Sequence, residues 1–156
     1  IVRTRSASDN ATPAGNGVMV EVLARLYYLT GEARYRERAE AVVTGFADAL
    51  GRNVVGLTSL MSGYTTLERA VQIAVVGPPE HPATEALMQA AFDSPVSCRI
   101  VTALAPGAAL PEAHPASGKT MVDDQPAAYV CVGSVCSQPH TDADALRHAL
   151  RRTPGS

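Results

Sequence analysis

Near residue 70 the spacing of the apolar residues changes, and this switch limits the possible folds more than any other feature of the chain. Upstream, apolar residues recur every three or four positions, which is the period of one helix face. Downstream, Val71–Val76 is a short apolar run with β-branched residues, stopped by Gly77-Pro78-Pro79, which reads as a buried strand. A chain of 156 residues is long enough for one domain or for two small units sharing a core. The expectation is an α+β or α/β protein with residues 1–70 helical and residues 71–156 a small α/β module.

The helical part divides at its glycines. Val18, Val22, Leu26 and Leu29 mark one helix over 13–29, with Thr12 as cap, Pro13 in the first turn and Gly31 as terminator. Tyr35, Ala39, Val42, Phe46 and Leu50 mark a second helix over 34–50, closed by Gly51. Leu57, Leu60, Met61, Tyr64 and Leu67 mark a third over 57–70. Short links between them predict αα-hairpins. Three helices make less than a full repeat array, so an apolar face is expected to remain uncovered.

In the second part, strands over 71–76 and 99–104 flank a helix over 81–92, with Leu87, Met88, Ala91 and Phe92 turned inward. Strand, helix and strand in this compass predict a parallel βαβ unit. Residues 105–118 read as a surface loop, because three Pro and two Gly fall there. A third strand is expected over 127–132, in a sheet of three or more strands. A last helix is expected after Thr141, with Asp144 as its capping-box acid and its end fraying through 151–156.

Charge narrows the function. Thirteen basic residues against 15 acidic give a net charge of −2, which offers no counterion-releasing surface for nucleic acid and no polybasic membrane patch. No apolar stretch approaches the roughly 20 residues of a membrane span. Three cysteines are too few, and odd in number, for a disulfide-stapled secreted domain, so a reducing, cytoplasmic setting is the default. The Asn10-Ala11-Thr12 glycosylation pattern therefore carries no weight. The chain begins at Ile1 rather than Met, as a piece of a longer protein or a processed chain would.

Four segments could carry chemistry. Cys131 and Cys136 flank Gly133, where a turn could bring two sulfurs together for redox work; two inert thiols are the alternative. Cys131, Cys136 and His140, with His148 as a further donor, have the residue types of a zinc site but no second cysteine pair. Asp9 and Asn16 lie in a stretch of turn formers ahead of a helix, where they could bind an anion or a sugar hydroxyl or simply cap. Asp123-Asp124 reads as a turn, since neighbours in an extended chain face opposite sides and cannot share one proton-transfer task. No phosphate loop, nucleophile elbow or HExxH is present, and no cofactor is implied.

The ordered set Pro13-Ala14-Gly15-Asn16-Gly17-Val18, Leu29-Thr30-Gly31, Val75-Val76-Gly77, Met121-Val122-Asp123, Pro126-Ala127-Ala128-Tyr129-Val130-Cys131 and Cys136 resembles the C-terminal region of the thioredoxin domain-containing YyaL family, with its spermatogenesis-associated relatives. The resemblance implies a full-length protein with a thioredoxin-like domain and an (α/α)6 toroid similar to six-hairpin glycosidases. Residues 1–70 would be the last helices of the toroid, and residues 71–156 the module that follows. It implies a non-catalytic fragment, whose partners are the rest of the protein or a second copy docked on the exposed helical face. Two alternatives remain: part of an epimerase- or glycosidase-like carbohydrate-processing enzyme using Asp9 and Asn16, or a thiol redox module using Cys131 and Cys136. Ala14 and Gly17 stand where the family commonly has Ser, which removes two hydroxyls beside Asn16.

Overall fold

The computed structural model describes residues 6–112, 114–133 and 135–153. They form an α+β protein that divides into two compact units, residues 1–68 and 69–156. The elements run α1 (Gly15–Thr30), α2 (Ala33–Gly45), α3 (Ala47–Arg52), a 3-10 turn (Val55–Leu57), α4 (Thr58–Arg69), β1 (Val71–Val76), α5 (Pro82–Phe92), β2 (Arg99–Leu104), β3 (Ala127–Val132), β4 (Val135–Cys136) and α6 (Ala143–Arg151).

In the first unit the core joins Val20, Leu23 and Ala24 of α1 to Ala39 of α2 and to Leu57, Leu60 and Leu67 around α4. The α1–α4 approach is close because glycine stands on both sides of it. A Cβ on Gly17 would strike the Ser59 side chain and lie 2.6 Å from the Leu60 nitrogen; one on Gly63 would lie 2.8 Å from the Glu21 nitrogen. The Tyr28 hydroxyl donates to the Leu67 carbonyl at 2.8 Å, tying the ends of the two helices. Gly31 closes α1 with φ 74°, its N–H bonded to the Tyr27 carbonyl at 2.8 Å.

Three expectations for this unit are corrected. Helix α1 starts two residues later than the Thr12-Pro13 signal suggests; Ala14 holds the cap position and makes no side-chain cap bond. The second helix is broken in two. The Phe46 N–H bonds the Val43 carbonyl, three residues back, with φ −117° and ψ 11°, so the α ladder stops beside the poor helix formers Thr44 and Gly45. Tyr64 is 38% exposed, and Gly63 and Thr66 are buried in its place.

The second unit holds one sheet in the order β2-β1-β3-β4. Strand β1 pairs parallel with β2 and antiparallel with β3, so the sheet is mixed. All six β1 residues are buried, as a central strand requires. Alternation sends Val71, Ile73 and Val75, with Ala128 and Val130 of β3, into a core with α5 and α6. Ala74, Val76 and Leu104 face the other way, against Leu110, Ala116 and Met121 of the β2–β3 connection. That connection is therefore more than the surface loop read from its Pro and Gly content: His114 and Ala116 are buried.

Other local readings shift by a residue or two. Phe92 is 54% exposed rather than inward, because Leu87, Ala90 and Ala91 fill that face of α5. The cap of α6 is Asp142, whose carboxylate accepts from the Ala145 N–H at 2.8 Å; Asp144 instead pairs with Arg147. The α6 helix ends at Arg151, and residues 154–156, read as its frayed end, lie outside the described residues. Strand β4 carries no alternating pattern in the sequence; pairing with β3 creates it.

Candidate functional site

The β3–β4 hairpin turns through Gly133, at φ 59°. Its register sets Cys131 opposite Cys136 and Val132 opposite Val135. The Ser137 N–H donates to the Val130 carbonyl at 2.8 Å. Antiparallel pairing alternates, so Cys131 and Cys136 form the non-hydrogen-bonded pair between those bonded ones, where opposed side chains come nearest. Their Cα atoms are 4.0 Å apart, and the two sulfurs are joined in a disulfide. The partners are unequal: Cys131 is 2% exposed, whereas Cys136 is open to solvent.

Cys131 shares its sheet face with Tyr129, the face covered by the β2–β3 connection. From that connection Lys119 places its Nζ 3.4 Å from the Cys136 sulfur and 5.4 Å from the centre of the Tyr129 ring. The Tyr129 hydroxyl donates to the Thr120 carbonyl at 2.8 Å, so one ring both anchors the backbone beside Lys119 and attracts its ammonium. Burial pushes the Lys119 pKa below its ordinary value. An ammonium at this distance favours the thiolate of Cys136 whenever the disulfide is open. The cluster has an exposed sulfur, a buried resolving sulfur and a cation beside the exposed one.

Lys119 was not among the residues the sequence singled out, although one signal was available. It is the only lysine in the chain; the other 12 of the 13 basic residues are arginine. Its contact with Cys136 depends on a connection of more than 20 residues folding back over the sheet, which no local pattern encodes.

The other candidate residues lie elsewhere. Asp9 Oδ1 accepts from the Ser59 hydroxyl at 2.5 Å and the Ala14 N–H at 2.8 Å, and Oδ2 accepts from the Ser59 N–H at 2.7 Å. These bonds, led by the Ser59 hydroxyl, hold the Asp9 carboxyl below its ordinary pKa. The carboxylate thus caps the start of α4 from a distant segment. The Asn16 amide donates to the Ser6 carbonyl at 2.7 Å. Cys98 is a free, half-buried thiol just ahead of β2.

His140 pairs with Ala128 through both backbone bonds, and its Nε2 lies 3.4 Å from the Ser137 hydroxyl. Burial lowers its pKa. His148 is in the last turn of α6. Among the described residues no group of three or more His, Cys, Asp or Glu side chains gathers as a metal site. Asp123 and Asp124 are the two corner residues of a tight turn, at φ 48° and 58°, closed by paired bonds between Val122 and Gln125. This is the left-handed geometry that short polar side chains tolerate.

A concavity of about 430 Å³ opens at the carboxyl ends of β1 and β2. Pro79, Met88 and Leu104 make its walls apolar, and Glu85 is its one charged residue. The Thr84 hydroxyl is buried against Gly77 and has no partner among the described residues.

No protein-family model and no solved structure matches the chain. Three curated proteins do. Spermatogenesis-associated protein 20 of rat is 27% identical over 155 residues, covering 97% of this chain and 20% of its own length. The human protein of that name is 28% identical over 153 residues, covering 96% and 20%. The mouse protein is 26% identical over 155 residues. The chain thus spans about a fifth of the length of these relatives, to which it is homologous. No described helix is long and apolar enough to cross a membrane.

Proposed function

We propose that this chain is a C-terminal accessory part of a longer protein, and that its chemistry is reversible thiol–disulfide exchange at Cys131 and Cys136. The observation that carries the proposal is the opposition of the two cysteines across β3 and β4, with only Cys136 exposed and Lys119 Nζ at 3.4 Å from it. In the dithiol form the Cys136 thiolate, favoured by the Lys119 ammonium, attacks one sulfur of a substrate disulfide. The substrate S–S bond breaks and its other sulfur leaves as a thiolate, which takes a proton from water. Deprotonated Cys131 then attacks the Cys136 sulfur of the mixed disulfide. The Cys131–Cys136 bond closes and the second substrate thiolate departs. Two electrons pass from the protein to the substrate, and the reverse sequence oxidises a pair of substrate thiols.

Carbohydrate processing finds less support, because the Asp9 and Asn16 side chains are bonded to their own chain. The test starts with alkylation of unfolded protein prepared without reductant. One label, on Cys98, is expected by intact mass; three labels would remove the disulfide and the proposal with it. Equilibration in glutathione buffers should then give a single two-electron transition between one and three labels. In Cys136→Ser that transition should vanish while Cys98 labels as before. No transition at any glutathione ratio in the unmutated chain would also overturn it.

A further inference from the structure

We infer that the substrate of this exchange is a cysteine in an extended polypeptide, and that the polypeptide adds as a strand along the open edge of β4. The inference rests on the exchange reading above and names its substrate class.

Three observations carry it. First, β4 is the last strand of the order β2-β1-β3-β4, and no strand lies beyond it among the described residues. Second, Cys131 and Cys136 are the non-hydrogen-bonded pair, as the Ser137 N–H to Val130 carbonyl bond fixes. In such a pair the backbone N–H and C=O point away from the partner strand. The N–H and C=O of Cys136 therefore face the open edge, beside the sulfur that reacts. Third, the edge is short but uncharged. Natural edges are blunted by charges, by proline or by a very short strand. Strand β4 is two residues long and Pro139 follows it, but residues 135–139 contain no charge, and Val135 is 73% exposed. The Lys119 ammonium lies on the sheet face against Tyr129 and the Cys136 sulfur.

The geometry of addition matches the chemistry. A peptide residue that bonds both the N–H and the C=O of Cys136 sits directly opposite it, with Cα atoms about 5.5 Å apart and side chains on the same face. A cysteine there falls within the span of about 4.4–6.8 Å that a disulfide bridges. The mixed disulfide with Cys136 thus forms within a two-strand ladder, and Cys131 closes on Cys136 from the opposite strand. A small thiol such as glutathione can reach the exposed sulfur but gains nothing from the edge.

The test uses the whole chain in its disulfide form. The attacking probes are an uncharged, extended nine-residue peptide with a central cysteine, the same peptide N-methylated at that cysteine, and reduced glutathione. Each rate is divided by the probe's rate with a small aromatic disulfide, which removes differences in thiol reactivity. The plain peptide should then open the disulfide at least tenfold faster than glutathione. N-methylation, which deletes the donor to the Cys136 carbonyl, should remove about tenfold. Equal corrected rates for all three probes would overturn edge pairing and leave exchange standing. A disulfide that none of them opens would overturn both. Peptides that react well with or without the N-methyl group would show recognition by side chains, and edge pairing would again be lost.

Discussion

At the scale of single residues, Lys119 and His140 make opposite statements about charge. Lys119 is cationic beside the Cys136 sulfur, so it stabilises the thiolate and lowers the pH at which that thiolate forms. In Lys119→Met the pH profile of Cys136 alkylation in the reduced protein should move upward, and the rate near neutral pH should fall about three- to tenfold. An unchanged midpoint would mean the contact does not persist once the disulfide opens. Tyr129→Leu, which removes both the ring under Lys119 and the bond to Thr120, should move the profile in the same direction. His140 has its pKa depressed by burial. Above its unfolded value of about 6.5, both states are neutral and stability is at its full value. As pH falls through that value the unfolded chain takes up the proton first, so stability declines until the folded pKa is passed. Urea midpoints should drop below about pH 6.5, and His140→Gln should flatten that part of the curve. A slope identical in the variant would assign the acid limb to other groups. Asp9 also has a depressed pKa, so its contribution is present above the unfolded carboxyl value and lost further down in acid.

At the scale of elements, the close contact of α1 with α4 depends on two missing side chains. Gly17→Ala would push a methyl group into Ser59 and the Leu60 backbone, neither of which can yield without moving α4. The expected cost is about 1–3 kcal/mol, measured as a shift in urea midpoint at unchanged slope. Gly15→Ala is the control, since a Cβ there meets nothing within 4 Å; its stability should hold or rise slightly. Equal effects from the two would remove packing as the reason for Gly17. The same contrast of local and distant causes explains how much could be read from the sequence. Strands β1, β2 and β3 fall over the spans expected for them, because each is a compact apolar run bounded by turn formers. The parallel β1–β2 pair follows from the intervening helix. Strand β4 was not legible: two residues hold no periodicity, and only the facing β3 backbone makes Val135 and Cys136 a strand. The break at Phe46 was obscured by a sound stripe, since Tyr35, Val42, Phe46 and Leu50 all do pack on the first core. In the site, the cysteine pair was legible as a candidate because Gly133 sits between its members. Lys119 was not, because a long connection delivers it.

At the scale of the whole molecule, the exposed side of α1 bears on the proposal that the chain belongs to a longer protein. Val18, Val22 and Leu29 fall on one stripe of the helix, and each is more than two-fifths exposed. The opposite stripe of the same helix, through Val20, Leu23 and Ala24, is buried in the first core. A helix apolar on two sides is built to be covered on two sides. The relatives matched by this chain are about five times its length, so material to cover the second side exists in proteins of that kind. In the isolated chain the stripe should drive weak self-association. The double substitution Val22→Lys and Leu29→Lys should abolish it while leaving the unfolding free energy within about 0.5 kcal/mol, as for exposed sites generally. If the chain is part of a longer protein as proposed, the same pair introduced there should cost several times that amount, because it would bury two charges against apolar neighbours. Sedimentation velocity over a range of concentrations, with unfolding curves on both proteins, separates the cases. A chain already monomeric without the substitutions, together with a longer protein indifferent to them, would make the stripe an ordinary exposed surface. A loss confined to the longer protein would place the covering surface within that protein and not on a second copy.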